Sequence, residues 1–321
     1  MSHDFALVGA AGFIAPRHLR AIRDTGNRLV AATDPHDCVG ILDSYALDVK
    51  FFPEIERFDR HLEKLRRRAG EAVEYVSICS PNYLHDAHIR LALRVGAHAI
   101  CEKPLVINPW NLDALERLEE ETGRRVSTVL QLRVHPALLD LKKKIEAEPD
   151  TTRHEVTLTY VTARGPWYAM SWKGNAERSG GIACNIGIHF FDLLAWLFGP
   201  VTRAEVHVNQ PQRMAGFLEL SRATVRWFLS LATADLPFAA EPGGNMTHRS
   251  IAVDGTELEF TQGFTGLHTR VYEDILAGGG SGIAVARPSI ELAHRLRHAA
   301  VSQGSAPRHP LVQAAPDRSG A

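Results

Sequence analysis

The sequence predicts an α/β protein in which a doubly wound parallel sheet is followed by an α+β domain with an open, mostly antiparallel sheet. Two observations predict this fold class. The first 130 residues alternate short apolar runs with amphipathic stretches, as parallel strands joined by crossover helices must. From about Arg153 the apolar residues instead alternate at period two, over longer runs with few helices between them.

The first half provides strands and helices in strict alternation. Short apolar runs predict buried strands at Phe5–Ala10, Leu29–Thr33, Tyr75–Cys79, Ala97–Cys101 and Arg125–Leu130. Amphipathic stretches predict helices near Arg17–Thr25, Glu54–Ala69, Leu84–Val95 and Asn108–Thr122.

The second half provides longer strands. Period-two alternation predicts them at His154–Thr162, Thr202–Val208, Met214–Leu220 and Thr224–Leu231. Asp254-Gly255 predicts a hairpin turn, and helices are predicted at Phe190–Leu197, Leu267–Leu276 and Ser289–Ala299, the first being the one clear helix between the strands. We expect a first domain over residues 1–130, a second over 131–301, and a disordered tail over 302–321, which is rich in Ala, Pro, Ser and Gly.

Composition excludes several function classes. Lys plus Arg number 36 against 37 Asp plus Glu, so a net charge of -1 gives no strong field for nucleic acid or an anionic membrane. The 4 cysteines show no C-x-x-C spacing, which argues against a disulfide framework or a zinc site. The apolar window Ile182–Val201 is interrupted by polar groups, and the N-terminus lacks the basic region of a signal peptide. We therefore expect a cytoplasmic protein without a metal.

A glycine-bearing turn joins the first strand to the first helix. Gly9 and Gly12 stand in a G-x-x-G-x-x-A spacing, which departs from the regular G-x-G-x-x-G fingerprint of a dinucleotide site. Glycine there lets the backbone approach a pyrophosphate, although any tight turn also favours glycine. Asp34 closes the second strand, where an acid can bind both hydroxyls of an adenosine ribose or, alternatively, cap a helix. The acid would repel a 2′-phosphate, so NAD is favoured over NADP.

Two further strand ends carry polar residues. Cys79-Ser80-Pro81-Asn82 and Cys101-Glu102-Lys103-Pro104 each follow a predicted parallel strand, at the edge where ligands bind. Pro104 restricts Lys103 to an extended conformation at the strand tip. Lys103 is then either a solvated loop lysine or, beside an oxidised nicotinamide, a general base with a lowered pKa.

The second half contains one polar constellation in an apolar window. If a helix begins near Asn185, then Asn185, His189 and Asp192 share one helical face. His189 is then either a buried histidine satisfied by its neighbours or part of a ligand site, and one imidazole with an amide suits zinc poorly. The glycine pair Gly180-Gly181 suggests close backbone approach to a ligand.

Two clusters suggest anion binding. Gln131-Leu132-Arg133 lies at the predicted domain junction. The segments Arg164–Tyr168 and Ser171–Gly174 combine Arg164 and Lys173 with aromatic residues, which suits phosphates, a carboxylate, a base or a sugar. A solvated loop with aromatic side chains packed at the domain seam explains them equally well.

With these residues in place, the chain resembles the glucose-fructose oxidoreductase/inositol dehydrogenase/rhizopine-catabolism family from about Phe5 to Ala299. The resemblance rests on the first glycine turn, the Glu102-Lys103-Pro104 triplet and the glycine pair leading to His189. The stretches GAAGFIAPRHLRAI, SICSPNYLHDAHIRLAL, CEKPLVINPWN and RGPWY…SWKG…GGIACNIGIHFFD are similar to a narrower group, dehydrogenases of UDP-N-acetyl-D-glucosaminuronic acid.

The resemblance implies an N-terminal Rossmann domain and a set of site residues. The residues implied to line the NAD site are Gly9, Gly12, Phe13, Ile14, Asp34, Ser80, Asn82, His85, Glu102, Lys103 and Gln131. Lys103 and His189 are implied as the catalytic pair near the sugar carbon that loses hydride. The candidates for substrate binding are Lys103, Arg133, Arg164, Tyr168, Lys173, Asn185 and His189. Many family members carry Asp where this chain has Asn185, and an amide cannot act as a base at neutral pH.

The implied activity is NAD-dependent oxidation of the C3 hydroxyl of a UDP-sugar uronate, in the synthesis of lipopolysaccharide O-antigen sugars. Implied partners are that substrate, 2-oxoglutarate as an acceptor that recycles the cofactor, and further copies of the chain in a dimer or tetramer. Two alternatives stay open: a dehydrogenase of another sugar or cyclitol, and a non-catalytic NAD-binding sensor. The low net charge gives the sensor no basic DNA-binding face.

Overall fold

The computed structural model describes residues 2–239 and 245–313. The chain divides into two compact units, Met1–Val134 with Thr265–Ile290, and His135–Phe264 with Glu291–Ala321. The sequence-based division instead placed residues 131–301 together. The difference lies in Thr265–Ile290, which follows the second sheet in the chain and belongs to the first unit.

The first 134 residues form a six-stranded parallel sheet with crossover helices, as predicted. Its strands are β1 (Asp4–Val8), β2 (Arg28–Thr33), β3 (Lys50–Phe52), β4 (Tyr75–Ile78), β5 (His98–Cys101) and β6 (Val126–Thr128). The helices are α1 (Ala15–Asp24), α2 (Ile55–Arg66), α3 (His85–Arg94) and α4 (Trp110–Thr122). The strand order β3-β2-β1-β4-β5-β6 reverses direction between β1 and β4, which is where doubly wound sheets bind ligands.

Small differences from the predicted elements have local causes. Strand β1 ends at Val8 rather than Ala10 because Gly9 turns the backbone to φ +89°. Strand β3 was not predicted, since its 3 residues are too few to show a periodic pattern. The buried faces of β1 and α1 share one apolar core that includes Phe5, Leu7 and Leu19.

The next segment forms a second six-stranded sheet and several helices. In chain order they are α5 (Pro136–Ala147), β7 (His154–Thr162), α6 (Pro166–Met170), α7 (Ala176–Ser179), α8 (Ile188–Phe198), β8 (Val201–Asn209), β9 (Arg213–Leu220), β10 (Ala223–Ser230), β11 (Thr247–Val253) and β12 (Thr256–Glu259). The strand order is β12-β11-β7-β10-β9-β8, antiparallel except where β10 pairs with β7. The predicted open, mostly antiparallel sheet is therefore confirmed.

Local features of the second sheet follow the sequence closely. Asp254-Gly255 joins β11 to β12, and φ is positive at both residues (50° and 81°), as a tight hairpin turn requires. The predicted helix Phe190–Leu197 corresponds to α8, but it is not the single helix between the strands, because α6 and α7 also lie there. Helix α5, which precedes the sheet, was not predicted. The buried face of α5 consists only of Leu138 and Ile145, and the charged run Lys142–Lys144 between them obscures the apolar pattern in the sequence.

The apolar segment that contains α7 and α8 is a core element. Residues Ala176–Phe198 are long and apolar enough to cross a bilayer by length and composition, but 78% of the most apolar window is buried inside the protein. Core helices of globular proteins meet the same criteria.

The chain then returns to the first unit. Helix α9 (Leu267–Leu276) has the predicted bounds, and its Val271, Tyr272 and Ile275 join the core cluster of β1 and α1. Helix α10 (Ile283–His298) begins earlier than the predicted Ser289 because it continues through Pro288. A proline inside a helical pattern normally indicates a helix end, which obscured the first part of α10.

The described part of the predicted disordered tail is packed on the second sheet. Helix α11 (Pro310–Gln313) follows His309, which is 2% exposed and stacks on Phe228 with ring centroids 5.4 Å apart. Val312 packs against the cluster of Val161, Ala215 and Phe228. Residues 302–313 therefore differ from the predicted disorder, and residues 314–321 lie outside the described part of the chain.

Burial of His309 predicts an acid-sensitive tail. Burial lowers the pKa of His309 to about 4, so below pH 6.5 the unfolded chain takes up a proton that the folded chain refuses. The free energy of unfolding should therefore fall as the pH is lowered from 6.5 to 4. In His309→Gln, the decrease in the free energy of unfolding between pH 7 and pH 5 should be smaller than in the wild type by up to about 2 kcal/mol. Urea denaturation at each pH measures this, with the non-titrating neighbour Leu311→Ala as control. Equal pH slopes in both variants would contradict the assignment.

Candidate active site

The turn between β1 and α1 has no room for a side chain. A Cβ on Gly9 would lie 2.7 Å from the Cys79 carbonyl carbon and 2.8 Å from the Ser80 nitrogen, both backbone atoms. With φ at +89°, only glycine adopts this conformation without strain. A Cβ on Gly12 would lie 3.0 Å from the Gly9 oxygen. The backbone therefore stays open at the N-terminus of α1, where helix N–H groups favour a phosphate.

Asp34 lies at the end of β2 and is tied to this glycine turn. Its Oδ2 accepts a hydrogen bond from the Ala11 N–H at 3.0 Å, and its Oδ1 accepts one from the His36 N–H at 2.9 Å. Each carboxylate oxygen retains a further lone pair that a ribose hydroxyl can use. The alternative role as a helix cap is not found, because the next helical turn begins only at Gly40.

The ends of β4 and β5 are joined by His85. Its Nδ1 lies 2.7 Å from the Pro104 carbonyl oxygen, and its Nε2 lies 2.9 Å from the Ser80 carbonyl oxygen. Burial lowers the pKa of His85, while hydrogen bonding to the two carbonyl groups opposes that shift. Beside it Asn82 is 5% exposed. Through these two contacts, His85 connects the loop after β4 with the loop that carries Lys103.

The side chain before Lys103 is a buried carboxylate with two histidine partners. Glu102 Oε1 lies 3.1 Å from His18 Nε2 and 2.9 Å from His268 Nε2, and its Oε2 accepts the Lys103 N–H at 3.2 Å. Although burial opposes it, these histidine hydrogen bonds hold the pKa of Glu102 well below its ordinary value. Glu102 is therefore an anion at neutral pH.

Sequence reasoning did not single out the partners of Glu102. His18 lies on the buried face of α1, and His268 lies on α9, at the far end of the first unit's sequence. A histidine among the apolar residues of α1 was the only signal available. Nothing in the sequence relates it to residue 268.

The turn after β6 contributes Gln131 and Arg133. Gln131 is 9% exposed, and its Oε1 is buried without a hydrogen-bond partner among the described residues. A buried amide oxygen left unsatisfied costs free energy, and an amide-bearing ligand such as nicotinamide would supply a donor. Together with the open glycine turn and Asp34, this residue set fits NAD. Ile14 packs on the core, whereas the Phe13 side chain is 81% exposed.

In the second unit, Asn185 lies on an irregular helical turn. Residues Ala183–Gly187 form a π-helical turn, and regular α-helix begins at Ile188. The predicted single face of Asn185, His189 and Asp192 assumed regular α-helical spacing from Asn185, and a π turn changes that spacing. That the three residues share one face stays a prediction. Insertions of this kind are frequent at functional sites.

Tyr168 partners Asn185 directly. The Asn185 amide donates a hydrogen bond to the Tyr168 hydroxyl at 2.5 Å, and both residues are more than nine-tenths buried. Burial raises the pKa of Tyr168. His189 is half-buried, and Asp192 is 2% exposed. Asn185 is thus anchored on the loop that holds Tyr168.

That loop forms a compact group of cations and aromatic rings. Lys173 Nζ lies 5.0 Å from the Trp167 ring centroid and 5.6 Å from the Trp172 ring centroid. Arg164 lies 6.0 Å from the Tyr168 ring centroid. Burial, aided by Arg164, lowers the pKa of Lys173. Two neighbouring cations with aromatic walls suit an anionic ligand carrying a ring.

The structure thus distributes the predicted site residues over both units. The first unit holds Gly9, Gly12, Phe13, Ile14, Asp34, Ser80, Asn82, His85, Glu102, Lys103, Gln131 and Arg133. The second unit holds Arg164, Tyr168, Lys173, Asn185 and His189. Arg133 accordingly lies in a different unit from the Arg164–Lys173 group.

The glycine turn allows a direct test of the cofactor site. In Gly9→Ala the new methyl group meets the β4 backbone, so we expect at least a tenfold loss of NADH affinity, about 1.4 kcal/mol. Fluorescence titration with NADH measures the affinity, and Gly40→Ala is the matched control because nothing lies within 4 Å of its Cβ position. Equal NADH affinity in the two variants would contradict a role for the turn.

Comparison with known proteins agrees with this geometry. Residues 3–129 match "Oxidoreductase family, NAD-binding Rossmann fold", and residues 152–230 match "Oxidoreductase family, C-terminal alpha/beta domain". A crystal structure of the WlbA (WbpB) dehydrogenase from Thermus thermophilus, in complex with NAD and alpha-ketoglutarate, is 54% identical. The comparison covers 96% of this chain and 99% of that one, with a TM-score of 0.92.

Two other relatives bear on the site. A second structure of the Thermus thermophilus enzyme, in complex with NAD and UDP-GlcNAcA, is 52% identical over 96% of this chain and 99% of that one, with a TM-score of 0.92. Inositol 2-dehydrogenase of Rhizobium meliloti is 28% identical over 202 residues, 62% of this chain and 56% of that protein. The alignments thus span only about half the length of such curated relatives.

The two family matches cover more than half of the chain, and the predicted dinucleotide turn lies inside the first of them. The chain therefore belongs to the Gfo/Idh/MocA (glucose-fructose oxidoreductase/inositol dehydrogenase/rhizopine-catabolism) family of NAD-binding oxidoreductases.

Proposed function

We propose that this protein oxidises the C3 hydroxyl of UDP-N-acetyl-D-glucosaminuronic acid to the 3-keto sugar, with NAD as the hydride acceptor. The observation that carries the proposal is the 52% identity, over 96% of the chain, to a dehydrogenase whose structure contains NAD and UDP-GlcNAcA. The strand-end Lys103 and the half-buried His189 supply groups that this oxidation needs.

The reaction removes a proton from the C3 hydroxyl and a hydride from C3 itself. NAD supplies the hydride acceptor. Either Lys103 or His189 accepts the proton from the C3 hydroxyl, because both side chains can act as general bases when neutral. Asn185 cannot do so, and we assign it to orienting the sugar together with Tyr168. The remaining contribution of the protein is positioning.

The substrate carries a carboxylate and a diphosphate, and the protein must neutralise both. We assign Arg164 and Lys173 to these anions, supported by their proximity to aromatic rings that can pack on a sugar or base. Arg133 is a third candidate in the first unit. Asp34, Gln131 and the residues around the glycine turn are assigned to NAD.

Recycling of the cofactor requires an acceptor for the hydride. We propose 2-oxoglutarate, which would be reduced to 2-hydroxyglutarate as NADH returns to NAD. The Thermus thermophilus complex with NAD and alpha-ketoglutarate supports this acceptor. We further propose that the protein is a dimer or tetramer and that it serves lipopolysaccharide O-antigen synthesis. We propose a cytoplasmic location because activated UDP sugars are made in the cytoplasm.

Incubation of the protein with NAD and the UDP-uronate, with and without 2-oxoglutarate, tests the function. We expect a 3-keto product by mass spectrometry, and multiple turnovers only with 2-oxoglutarate. UDP-N-acetylglucosamine, glucose and inositol are the control substrates. Product from a free sugar or cyclitol alone would reassign the substrate, and tight NADH binding without any product would favour an NAD-binding sensor.

Replacement of Lys103 tests the base. Lys103→Met removes the amine while keeping the length of the side chain, so we expect kcat to fall by a factor of about 100 or more. NADH titration should show that the cofactor still binds. Wild-type turnover in Lys103→Met would exclude Lys103 and leave His189 as the base.

Replacement of Lys173 tests the anion subsite. Loss of one charge-assisted hydrogen bond should raise the KM for the UDP-uronate by about tenfold to a hundredfold, with a smaller change in kcat. Steady-state kinetics of Lys173→Gln measure both constants. Lys144→Gln, on the exposed face of α5, is the matched control. An unchanged KM in Lys173→Gln would remove Lys173 from the substrate site.

A further inference from the structure

A buried chain of five side chains runs through the first unit. Ser77 Oγ lies 2.6 Å from the Tyr272 hydroxyl, which lies 2.7 Å from His18 Nδ1. His18 Nε2 and His268 Nε2 then both contact the same oxygen of Glu102, at 3.1 and 2.9 Å. The five residues are Ser77, Tyr272, His18, Glu102 and His268, and none is more than 7% exposed.

The hydrogen-bond directions in this chain follow from the carboxylate. An ionised Glu102 can only accept, so His18 donates from Nε2 and its Nδ1 is the acceptor in the neutral ring. The Tyr272 hydroxyl then donates to Nδ1, and the Ser77 hydroxyl donates to Tyr272. Burial lowers the pKa of His18 and raises that of Tyr272, which agrees with neutral forms of both.

With His268 taken as a neutral donor like His18, the five side chains carry one net negative charge, that of Glu102. Neutral donors stabilise the Glu102 carboxylate without cancelling its charge. Because the group is buried, water and salt screen the charge much less than they screen a surface charge. The field of Glu102 therefore reaches whatever binds at the end of β5.

The sheet topology indicates what binds there. A dinucleotide crosses the carboxyl ends of the strands at the switch point between β1 and β4. Asp34, on the β2 side, marks the adenosine half, so the nicotinamide half belongs to the β4–β5 side, where Glu102 directly follows β5. The nicotinamide ring is the part of NAD whose charge changes, since it is cationic when oxidised and neutral when reduced.

We propose that the buried Glu102 carboxylate, held by hydrogen bonds from His18 and His268, sets the preference of the site for oxidised over reduced cofactor. A fixed negative charge stabilises the cationic ring and not the neutral one, so it lowers the reduction potential of bound NAD. His18, His268 and Tyr272 are positioning residues that keep this charge in place. The inference rests on NAD binding, a property of the family, and not on the identity of the sugar.

Binding measurements without any sugar test this proposal separately from the proposed function. NADH is titrated by its fluorescence and displaced by NAD+, and the ratio Kd(NAD+)/Kd(NADH) is compared between variants. In the nearly isosteric Glu102→Gln, which removes the charge, we expect the ratio to rise by about tenfold. Glu71→Gln, an exposed carboxylate of the same unit, should leave the ratio unchanged.

Two substitutions at His268 provide a second, matched comparison that keeps Glu102 in place. His268→Lys places a cation beside the carboxylate, so the ratio should rise as in Glu102→Gln. His268→Gln keeps a neutral donor, so the ratio should stay within about twofold of the wild-type value. A purely structural role would weaken NAD+ and NADH binding equally in every variant, and that result would overturn the proposal.

A metal ion is the other occupant that this cluster could accept. The ligand atoms of His18, Glu102 and His268 all lie within 4.8 Å of one another. We expect wild-type protein, dialysed without chelator, to contain no stoichiometric metal by elemental analysis. One equivalent that is lost in Glu102→Gln would overturn the proposal, because a bound cation would cancel the negative charge.

Discussion

The structure of the first unit depends on one buried carboxylate, that of Glu102. Glu102 directly follows the buried strand β5, and leaving its charge there unpaired would cost several kcal/mol. Helix α1 and helix α9 each contribute a histidine that hydrogen-bonds to Glu102 and so offsets this cost. The same two helices pack with β1 in one apolar core. Apolar packing and hydrogen bonding to Glu102 therefore favour the same arrangement of α1, α9 and β1. The segment that returns from the second sheet belongs to the first unit for this reason.

The order of the two sheets could be predicted because each has its own periodicity. Continuous apolar runs indicate strands buried on both faces, and alternating runs such as His154–Thr162 indicate strands with two different faces. The glycine turn, Asp34 and Lys103 could be found because strand ends in a doubly wound sheet lie on one edge. These inferences need only local sequence and one topological rule.

What the sequence could not provide are pairings between distant residues and departures from regular spacing. The contact of His268 with Glu102 joins residues 166 positions apart, and no local pattern encodes it. The π turn at Ala183–Gly187 replaces regular α-helical spacing, and the residue types of the segment do not indicate it. Short β3 and the continuation of α10 through Pro288 were missed because a pattern needs length to appear, and because proline is an unreliable boundary.

The packed tail has a consequence for how the chain can be handled and varied. His309 and Val312 cover apolar side chains of the second sheet, among them Phe228 and Val161. A chain cut before Pro307 would still contain every residue assigned to chemistry, yet it would present that apolar surface to solvent. Contiguous exposed apolar surface favours association, so shortening this end should reduce solubility while leaving the chemistry intact.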